Sequence, residues 1–378
     1  AMPEAIAVSQ QQQLRTRAQT IIASELVPVY QTLHRYLSER YIPNARTTIA
    51  AYDLPNGAAF YQQQIIDFVT EDLSPEDIHR VGLAQVAALE TQMHAILQEL
   101  QFNGSFAEFL AFLRSDPQFY AKTPEALLAH AAWIAKRVDA ELPKYFNVLP
   151  RRPFTIAPVP AAIAPFYTAG RYVDAPEGST QAGTYWVNTA LLKSRPLYAL
   201  PALTLHEAVP GHHLQIALAA EQATQPPFRR FSYISAFGEG WALYAEHLGQ
   251  EMGIYQTPYE RFGQLSYAMW RACRLVVDTG IHAKGWTRDQ AIQYMQAKTA
   301  LSTHEVQTEV DRYISWPGQA LSYMLGRIRI LALREQAQNT LGARFDLRDF
   351  HDQILALGSV PLPVLSAEME KWIALQAQ

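Results

Sequence analysis

The strongest constraint on the fold is a helical pattern that recurs along most of the chain and is clearest in residues 75–100. Ser74 is a residue type that caps helix N-termini, Pro75 suits the first helical position, and Asp77 suits the end of the first turn. The apolar residues that follow share one helical face: Ile78, Val81, Val86, Leu89, Met93, Ile96 and Leu100. A segment of this kind must bury that face against other helices.

The same pattern continues through most of the sequence, and glycine, at 18 of 378 residues, is too sparse to interrupt it often. Within one such segment, Arg274 and Asp278 lie four residues apart, a spacing that predicts an ion pair. We predict helices at 9–41, 58–69, 75–100, 105–114, 124–145, 198–221, 231–251, 259–283, 287–298, 304–313, 317–339, 347–357 and 361–376.

Residues 146–189 are the exception, because they are rich in proline, glycine, tyrosine and threonine. Within them, "FTIAPV" and "TYWVN" have the composition of short strands. We therefore predict a mainly α fold with one small β-sheet, whose strands lie within about 146–189. The chain is expected to form a single large helical domain over 1–378, or two helical halves, about 1–145 and 190–378, joined by the β-containing segment.

Composition excludes several classes of function. A net charge of −4 and a pI of about 6.3 argue against a nucleic-acid partner. No apolar run reaches the ~18 residues that a membrane span requires, so we expect none. The single cysteine, Cys273, excludes an internal disulfide and a cysteine-based metal site. Oligomeric state stays open, as does the choice between a cytoplasmic and an exported location.

The stretch "LHEAVPGHHLQ", residues 205–215, has the residue types of a zinc site but an unusual spacing. In a regular helix, residues four apart lie about 40° apart around the axis and ~6 Å along it, close enough to share one ion. His206 and His212 are six apart, which corresponds to roughly 120° and ~9 Å. His206 and His213 share a face but are ~10.5 Å apart along the axis. Neither pair could bind one zinc ion on an undistorted helix.

The intervening Pro210-Gly211 pair removes this difficulty. Proline has no N–H to donate to the carbonyl of His206, and its ring clashes with that carbonyl. Glycine accepts most of the backbone angles that could follow. We therefore predict a bulge or kink that absorbs two residues and brings His212 to the position of an ordinary i+4 ligand.

A third ligand is expected from the stretch "FGEGWALYAEHLG", residues 237–249. Glu239 and Glu246 there lie among apolar and small residues, and a buried carboxylate is costly unless a positive group pairs with it. A zinc ion would be such a positive partner for Glu239. An ordinary alternative is that Glu239 is an acid near a helix N-terminus, where the helix dipole favours negative charge.

Several motifs together resemble the domain of unknown function 885 family, bacterial proteins regarded as zinc metallopeptidases. They are His206-Glu207-x-x-Pro-Gly-His212, Glu239-Gly-Trp-Ala, "GTYWVN", "RLVVDTGIHAKGWT" and "RYISWPGQALSYMLG". The family is in turn similar to mostly helical gluzincins such as thimet oligopeptidase and angiotensin-converting enzyme. The resemblance implies a helical zincin-like fold with a deep central cleft. This chain differs from the usual HExxH signature by two extra residues.

The resemblance also implies roles for these residues. His206, His212 and Glu239 would bind one Zn²⁺ per chain, and Glu207 would be the general base that takes a proton from zinc-bound water. His213 is the alternative second ligand, or lines the substrate site.

Further residues are expected around the metal. Tyr323 is our candidate donor to the oxyanion, and Glu246 our candidate for orienting a ligand histidine. The stretch 183–188 resembles the edge strand that metallopeptidases place beside zinc, where an extended peptide can pair. The expected substrate-binding residues are His213, Tyr185, Asn188, Gln319 and Arg327, with Arg312 as a further receptor for a substrate carboxylate.

The leading interpretation is a zinc-dependent metallopeptidase that acts on small or extended peptides, with a peptide as its partner molecule. One alternative is a non-catalytic helical protein that binds a peptide or a metal, against which the presence of Glu207 argues. Another is a zinc hydrolase of a different amide or ester. The sequence does not distinguish exopeptidase from endopeptidase activity.

Overall fold

The computed structural model describes residues 2–176 and 178–378, and these are mainly helical with one small sheet, as predicted. The chain forms two compact units, Ala1–Ile49 and Ala50–Gln378. The division therefore falls at residue 49 and not within 146–189. The reason is that helices before the β-containing segment share one core with helices after it, so both expected halves contribute to the second unit.

The first unit is a helical run that corresponds to the helix predicted at 9–41. Two π-helical turns widen it, and each lies where the ring of a following proline, Pro28 or Pro43, would clash with the carbonyl four residues earlier. Its elements are α1 (Val8–Ile21), π-helical Ile22–Leu26, α2 (Val27–Tyr36), π-helical Leu37–Tyr41 and 3₁₀-helical Ile42–Asn44.

The second unit contains the remaining helices, several of which begin at the predicted caps. The Ser74 hydroxyl accepts a hydrogen bond from the Asp77 amide, and the Thr123 hydroxyl accepts one from the Ala126 amide. The helices are α3 (Gly57–Val69), α4 (Pro75–Glu99), α5 (Phe106–Ser115), α6 (Pro124–Tyr145), α7 (Leu200–Glu207), α8 (His212–Glu221), α9 (Pro227–Phe231), α10 (Ser235–Glu251), α11 (Pro258–Lys284), α12 (Arg288–Lys298), α13 (Thr303–Ser315), α14 (Ser322–Leu341), α15 (Leu347–Ala356) and α16 (Leu362–Gln376). No helix in the described part of the chain is both long and apolar enough to cross a bilayer.

Helix α11 is central to this unit, because every residue from Phe262 to His282 is buried. The ion pair predicted between Arg274 and Asp278 on this helix is wrong. Arg274 instead donates to Glu309 on α13 at 2.7 Å, while Asp278 accepts from the Tyr61 hydroxyl at 2.6 Å and from the amide at residue 318. On a helix buried on all sides, neighbouring helices offer better partners than the next turn does.

Helices α10 and α14 approach each other closely at two glycines. A side-chain carbon on Gly240 would lie 2.6 Å from Gly326, and one on Gly326 would lie 2.0 Å from the Ala236 carbonyl oxygen. Larger residues would therefore push the helices apart. This contact positions Glu239, which precedes Gly240, relative to α14.

The small sheet has three strands, β1 (Phe154–Pro158), β2 (Gly170–Val173) and β3 (Gly183–Val187), in the order β1-β3-β2. β3 pairs in parallel with β1 and antiparallel with β2. The expectation that β3 is an edge strand is therefore wrong, because strands pair along both of its sides. β2 is an edge strand, and it contacts α7, the helix that carries His206.

Candidate metal centre

The helix predicted over 198–221 is broken completely between α7 and α8, where a bulge or kink was expected. Ala208 and Gly211 leave helical angles, with ψ of −107° and −130°, and the Val209–Pro210 peptide is cis. Gly211 is required here, since a side-chain carbon at this position would lie 2.0 Å from the His206 carbonyl oxygen. The backbone therefore folds back on the last turn of α7, and His212 starts a new helix.

Long-range contacts hold this turn in place. The indole N–H of Trp241, a fully buried residue of α10, donates to the Pro210 carbonyl at 2.8 Å. Across the break, the His213 amide donates to the Ala208 carbonyl at 3.1 Å. Trp241 follows Glu239 by two residues, but its role in holding this turn could not be predicted from that spacing.

Three side chains converge beside the turn. His206 Nε2 lies 3.5 Å from Glu239 Oε2, and His212 Nε2 lies 3.3 Å from the same oxygen. Among the described residues, one ligand atom from each of these three side chains lies within 4.8 Å of the others. The imidazole rings are almost perpendicular, at 89°, with centroids 4.8 Å apart. We call His206, His212 and Glu239 the metal cluster.

Two of the three ligand–ligand distances in the metal cluster fit zinc. Zinc binds imidazole nitrogen and carboxylate oxygen at about 2.0–2.2 Å, and a tetrahedron of that size separates ligand atoms by roughly 3.3–3.5 Å. The two nitrogen–oxygen distances, 3.5 and 3.3 Å, lie in this range. Two imidazoles and one carboxylate also leave a fourth position for water or substrate, as catalytic zinc sites require.

A second layer of residues orients His206. Its Nδ1 lies 2.8 Å from Glu246 Oε1, which fixes the ring and leaves Nε2 facing the cluster. Arg271 lies 3.2 Å from the same carboxylate oxygen. The other oxygen, Glu246 Oε2, is buried without a hydrogen-bond partner, as is His212 Nδ1. Glu246 thus contacts the histidine that it was expected to orient, while the role of His206 as a ligand stays a prediction.

Electrostatics in the cluster favour a cation. Burial alone would lower the pKa of His206, but hydrogen bonds to Glu239 and Glu246 outweigh it and raise that pKa to about 10. Burial would raise the pKa of Glu239, but the two histidines outweigh it and hold that pKa well below its usual range. Carboxylates that keep a proton on a buried imidazole would equally stabilise a metal ion in its place.

Glu207 follows the first ligand and is held by the edge strand. Its Oε2 accepts a hydrogen bond of 2.7 Å from the backbone amide of Tyr172 in β2. The side chain is buried, with 8% of its surface exposed. The Glu207 carboxylate is therefore fixed by a strand and directly follows the first histidine of the metal cluster.

Tyr323 lies beside the cluster on α14. Its ring is nearly parallel to that of His206, with centroids 6.5 Å apart. The hydroxyl accepts from Arg312 at 3.1 Å and from Gln319 at 3.5 Å, and the Arg274 guanidinium lies 4.3 Å from the ring centroid. Three of the residues expected at the site, Tyr323, Gln319 and Arg312, are thus brought together in one hydrogen-bonded group.

Tyr233 is a neighbour of the metal cluster that the sequence analysis missed. Its ring centroid lies 6.4 Å from that of His212. Although Tyr233 exposes 47% of its surface, desolvation of its hydroxyl and the nearby Glu239 carboxylate raise its pKa above the usual value. A side-chain carbon on Gly238 would lie 2.6 Å from the Tyr233 hydroxyl oxygen, so that glycine makes room for the ring. The sequence feature that could have indicated a bulky neighbour here is Gly238, the glycine directly before Glu239.

The structure places His213 away from the metal cluster, on the side of the sheet. Its Nδ1 is 3.0 Å from the Tyr172 hydroxyl, and its ring lies 4.9 Å from that of Phe154. Burial lowers its pKa to about 4, so it is neutral at pH 7. This placement favours His212 over His213 as the second ligand.

Three further residues expected to bind substrate have internal partners. Tyr185 is fully buried, with its hydroxyl 3.4 Å from that of Thr204. Asn188 is also fully buried, and its amide donates to the carbonyls of residues 164, 167 and 168. Arg327 is buried beside His247, at 3.5 Å. We therefore assign none of these three a direct contact with substrate.

Comparisons with known proteins identify a family and a fold. The model of a family described as bacterial protein of unknown function, DUF885, matches residues 1–369. A crystal structure from Colwellia psychrerythraea, described as a candidate lipoprotein, is 37% identical, with a TM-score of 0.95 over 98% of this chain. A candidate lipoprotein of unknown function from Shewanella oneidensis is 19% identical, with a TM-score of 0.71 over 97% of this chain, and supports the fold alone. The chain spans 64% of the Colwellia protein and 68% of the Shewanella protein. None of the curated proteins matches it.

Proposed function

This chain belongs to the bacterial family DUF885, and we propose that it is a zinc-dependent metallopeptidase that hydrolyses peptide bonds in small or extended peptides. The observation that carries the proposal is the convergence of His206, His212 and Glu239 next to Glu207. Two imidazoles, one carboxylate and a neighbouring carboxylate outside the ligand set are the groups that hydrolysis at a zinc ion requires.

The proposed chemistry divides between the metal and the chain's own residues. Bound zinc would polarise the scissile carbonyl and lower the pKa of a coordinated water. Glu207 would accept a proton from the attacking water and return it to the leaving amine. The hydrogen bond from the Tyr172 amide supports this role, because it orients the carboxylate and leaves its second oxygen for the proton.

Two tyrosines are candidates to stabilise the negative charge that develops on the carbonyl oxygen. Tyr323 has a hydroxyl polarised by Arg312, which donates to it. Tyr233 has a hydroxyl close to Glu239. A donor aimed at this oxygen is commonly worth about 10²–10³ in kcat. The contacts of Arg312 favour Tyr323, because a neighbouring cation makes its hydroxyl a better donor.

The edge strand β2 supports a peptide as substrate. An extended peptide can add to a free strand edge through main-chain hydrogen bonds. β2 pairs with β3 on one side only, and on its other side the Tyr172 amide is already bonded to Glu207, so a peptide would use the remaining main-chain groups of that edge. A peptide alongside β2 would therefore lie next to the proposed base. Arg171, exposed on the same strand, adds a positive charge.

The test is Glu207→Gln, compared with wild type and with Glu221→Gln as a matched control on α8. The glutamine oxygen can still accept from the Tyr172 amide, so the fold should persist. We expect about one zinc per chain in all three proteins and a kcat ~10²–10⁴-fold lower in Glu207→Gln alone, read from a peptide library by mass spectrometry.

Other outcomes would reject the proposal in identifiable ways. Undiminished turnover in Glu207→Gln would exclude the proposed base. A wild-type protein that binds peptides without cleaving them would be a non-catalytic binder. Cleavage of other amides or esters, with peptides left intact, would identify a different zinc hydrolase.

A further inference from the structure

A charged group next to the metal cluster is centred on Arg312 of α13. Tyr323, whose ring centroid lies 6.5 Å from that of His206, accepts a hydrogen bond of 3.1 Å from Arg312 Nη2. The same nitrogen donates to the side-chain oxygen of Gln319 at 2.5 Å. Arg312 is therefore separated from the metal cluster by a single side chain, that of Tyr323.

This group has more positive than negative charge in direct contact. Arg312 and Arg274 both pair with Glu309, at 3.3 and 2.7 Å, and neither has another carboxylate within 4.0 Å in the described part of the chain. Burial would raise the pKa of Glu309, but the two arginines outweigh it and lower that pKa to about 2. One carboxylate thus faces two guanidiniums at neutral pH, so a further anion would be stabilised beside them.

Arg312 differs from Arg274 in having donors that a ligand can reach. The side chain of Arg312 is 27% exposed, whereas that of Arg274 is only 2% exposed. A guanidinium has five N–H groups. Among the described residues, Nη1 donates to Glu309, and Nη2 donates to Gln319 and Tyr323. Nε–H and one Nη1–H are left, and a carboxylate accepts strong charge-assisted hydrogen bonds from such donors.

The position of Tyr323 limits how far such a carboxylate lies from the scissile bond. A carbonyl oxygen that accepts from the Tyr323 hydroxyl lies ~2.8 Å from it, and Arg312 Nη2 lies 3.1 Å from the same hydroxyl. The guanidinium and a hydrogen bond to it add roughly 5 Å, so the carboxylate lies no more than ~11 Å from that carbonyl oxygen. One extended residue spans ~3.3–3.6 Å, so at most about three residues separate the two groups.

We propose that Arg312 binds a carboxylate of the substrate, and that this is the C-terminal carboxylate of a peptide. The chain is then an exopeptidase that releases a C-terminal fragment of about one to three residues. This role of Arg312 rests on the proposed zinc peptidase activity and deepens it, because it assigns the end from which the peptide is cleaved. An aspartate or glutamate side chain offers the same chemistry, so the test includes a substrate for each source.

The test compares three forms of one peptide as substrates of the zinc-loaded wild-type protein. The peptide is the member of the library with the highest kcat/KM, synthesised as the free acid, as the C-terminal amide, and as the amide with aspartate in its last position. We expect kcat/KM to be about 10–100-fold higher for the free acid than for either amide, because only the free acid has a terminal carboxylate to pair with Arg312. Mass spectrometry should show short fragments released from the C-terminus.

The variant Arg312→Gln locates the receptor. It should lower kcat/KM for the free acid ~10–100-fold more than for the amide, so that the ratio of the two constants approaches one. A role limited to packing or to polarising Tyr323 would lower both constants by the same factor and leave their ratio unchanged. Arg288→Gln, which changes a partly exposed arginine of α12 paired with Asp311 at 2.6 Å, should keep the wild-type ratio.

Equal kcat/KM for the free acid and the plain amide would overturn the assignment and leave the proposed peptidase standing. Cleavage of the aspartate amide as fast as the free acid would assign the carboxylate to a side chain and overturn the C-terminal source. A wild-type ratio in Arg312→Gln would place the receptor elsewhere. If the zinc-loaded protein cleaves no peptide at all, the proposed function itself fails, and the role of Arg312 fails with it.

Discussion

Two buried histidines of the same unit, His206 and His351, show how surroundings decide what an imidazole can do. His351 on α15 lies with Nδ1 2.8 Å from the Tyr145 carbonyl and Nε2 2.7 Å from the Tyr244 hydroxyl. Both partners are neutral, and burial lowers its pKa to about 4. His206 instead meets Glu239 and Glu246, which raise its pKa to about 10 against the effect of burial.

The difference separates a structural histidine from a candidate ligand. The ring of His351 is stacked on Phe146, at 4.8 Å, and both its nitrogens have partners, so nothing is left to bind. In the metal cluster, His212 Nδ1 has no hydrogen-bond partner and Nε2 of His206 faces the Glu239 carboxylate, and beside the cluster Glu246 Oε2 also has no partner. We infer that the first site is complete without a ligand, whereas the second requires positive charge.

The largest expected effect is on zinc affinity. His206→Ala and His212→Ala should each weaken zinc binding ~10³-fold or more, because one of three protein ligands is lost. His351→Ala and His213→Ala should bind zinc as wild type does. Competition with a chromogenic chelator measures these constants. Equal zinc affinity in His206→Ala and His351→Ala would remove the distinction between the two sites.

The free energy of unfolding should also distinguish the site of His351 from that of His206. His351→Ala should lower the free energy of unfolding by about 3–4 kcal/mol, because it leaves a cavity and unpairs the Tyr244 hydroxyl. Zinc at a thousand times the wild-type Kd should still add about 4 kcal/mol to this variant, but at most about 0.4 kcal/mol to His206→Ala, because its Kd is ~10³-fold weaker or more. Chemical denaturation with and without zinc measures both the loss of stability on substitution and the stability gained on zinc binding. Loss of the zinc effect in His351→Ala would show that the sites are coupled.

A dependence on pH follows from His351. Its pKa is lowered from about 6.5 in the unfolded chain to about 4 in the fold. The unfolded chain therefore binds more protons between these values, so the stabilisation is present above pH 6.5 and is lost as the pH falls towards 4. The loss from this residue reaches about 3 kcal/mol. Unfolding curves of metal-free protein should show a shallower acid slope for His351→Gln, and no such change for the exposed His304→Gln.

The smallest expected effect concerns the residue that orients His206. Glu246→Gln should weaken zinc binding ~10–100-fold, since the ring loses a charged partner but keeps its position. Glu251→Gln is the matched control on the same helix, because its carboxylate pairs with Arg334 at 2.7 Å. If both variants bind zinc equally, the Glu246 contact serves the fold and not the metal.

Much of the fold could be predicted because helices depend on local rules. The caps at Ser74 and Thr123, the apolar stripe of α4 and the strand composition within 146–189 are properties of neighbouring residues. The order of strands was not predictable in this way. β3 became the central strand through pairing with β1 and β2, which depends on chain segments far apart in sequence.

The sequence by itself determined the helical class, the residue types of the metal cluster and the need for a distorted backbone at Pro210-Gly211. Tertiary structure decided which of two consecutive histidines joins the cluster, because adjacent residues on a helix point about 100° apart and only packing chooses between them. It also supplied Tyr233 and the edge strand that holds Glu207. Such contacts join residues that are far apart in the sequence, whereas the spacing of residues along the chain predicts contacts only between near neighbours.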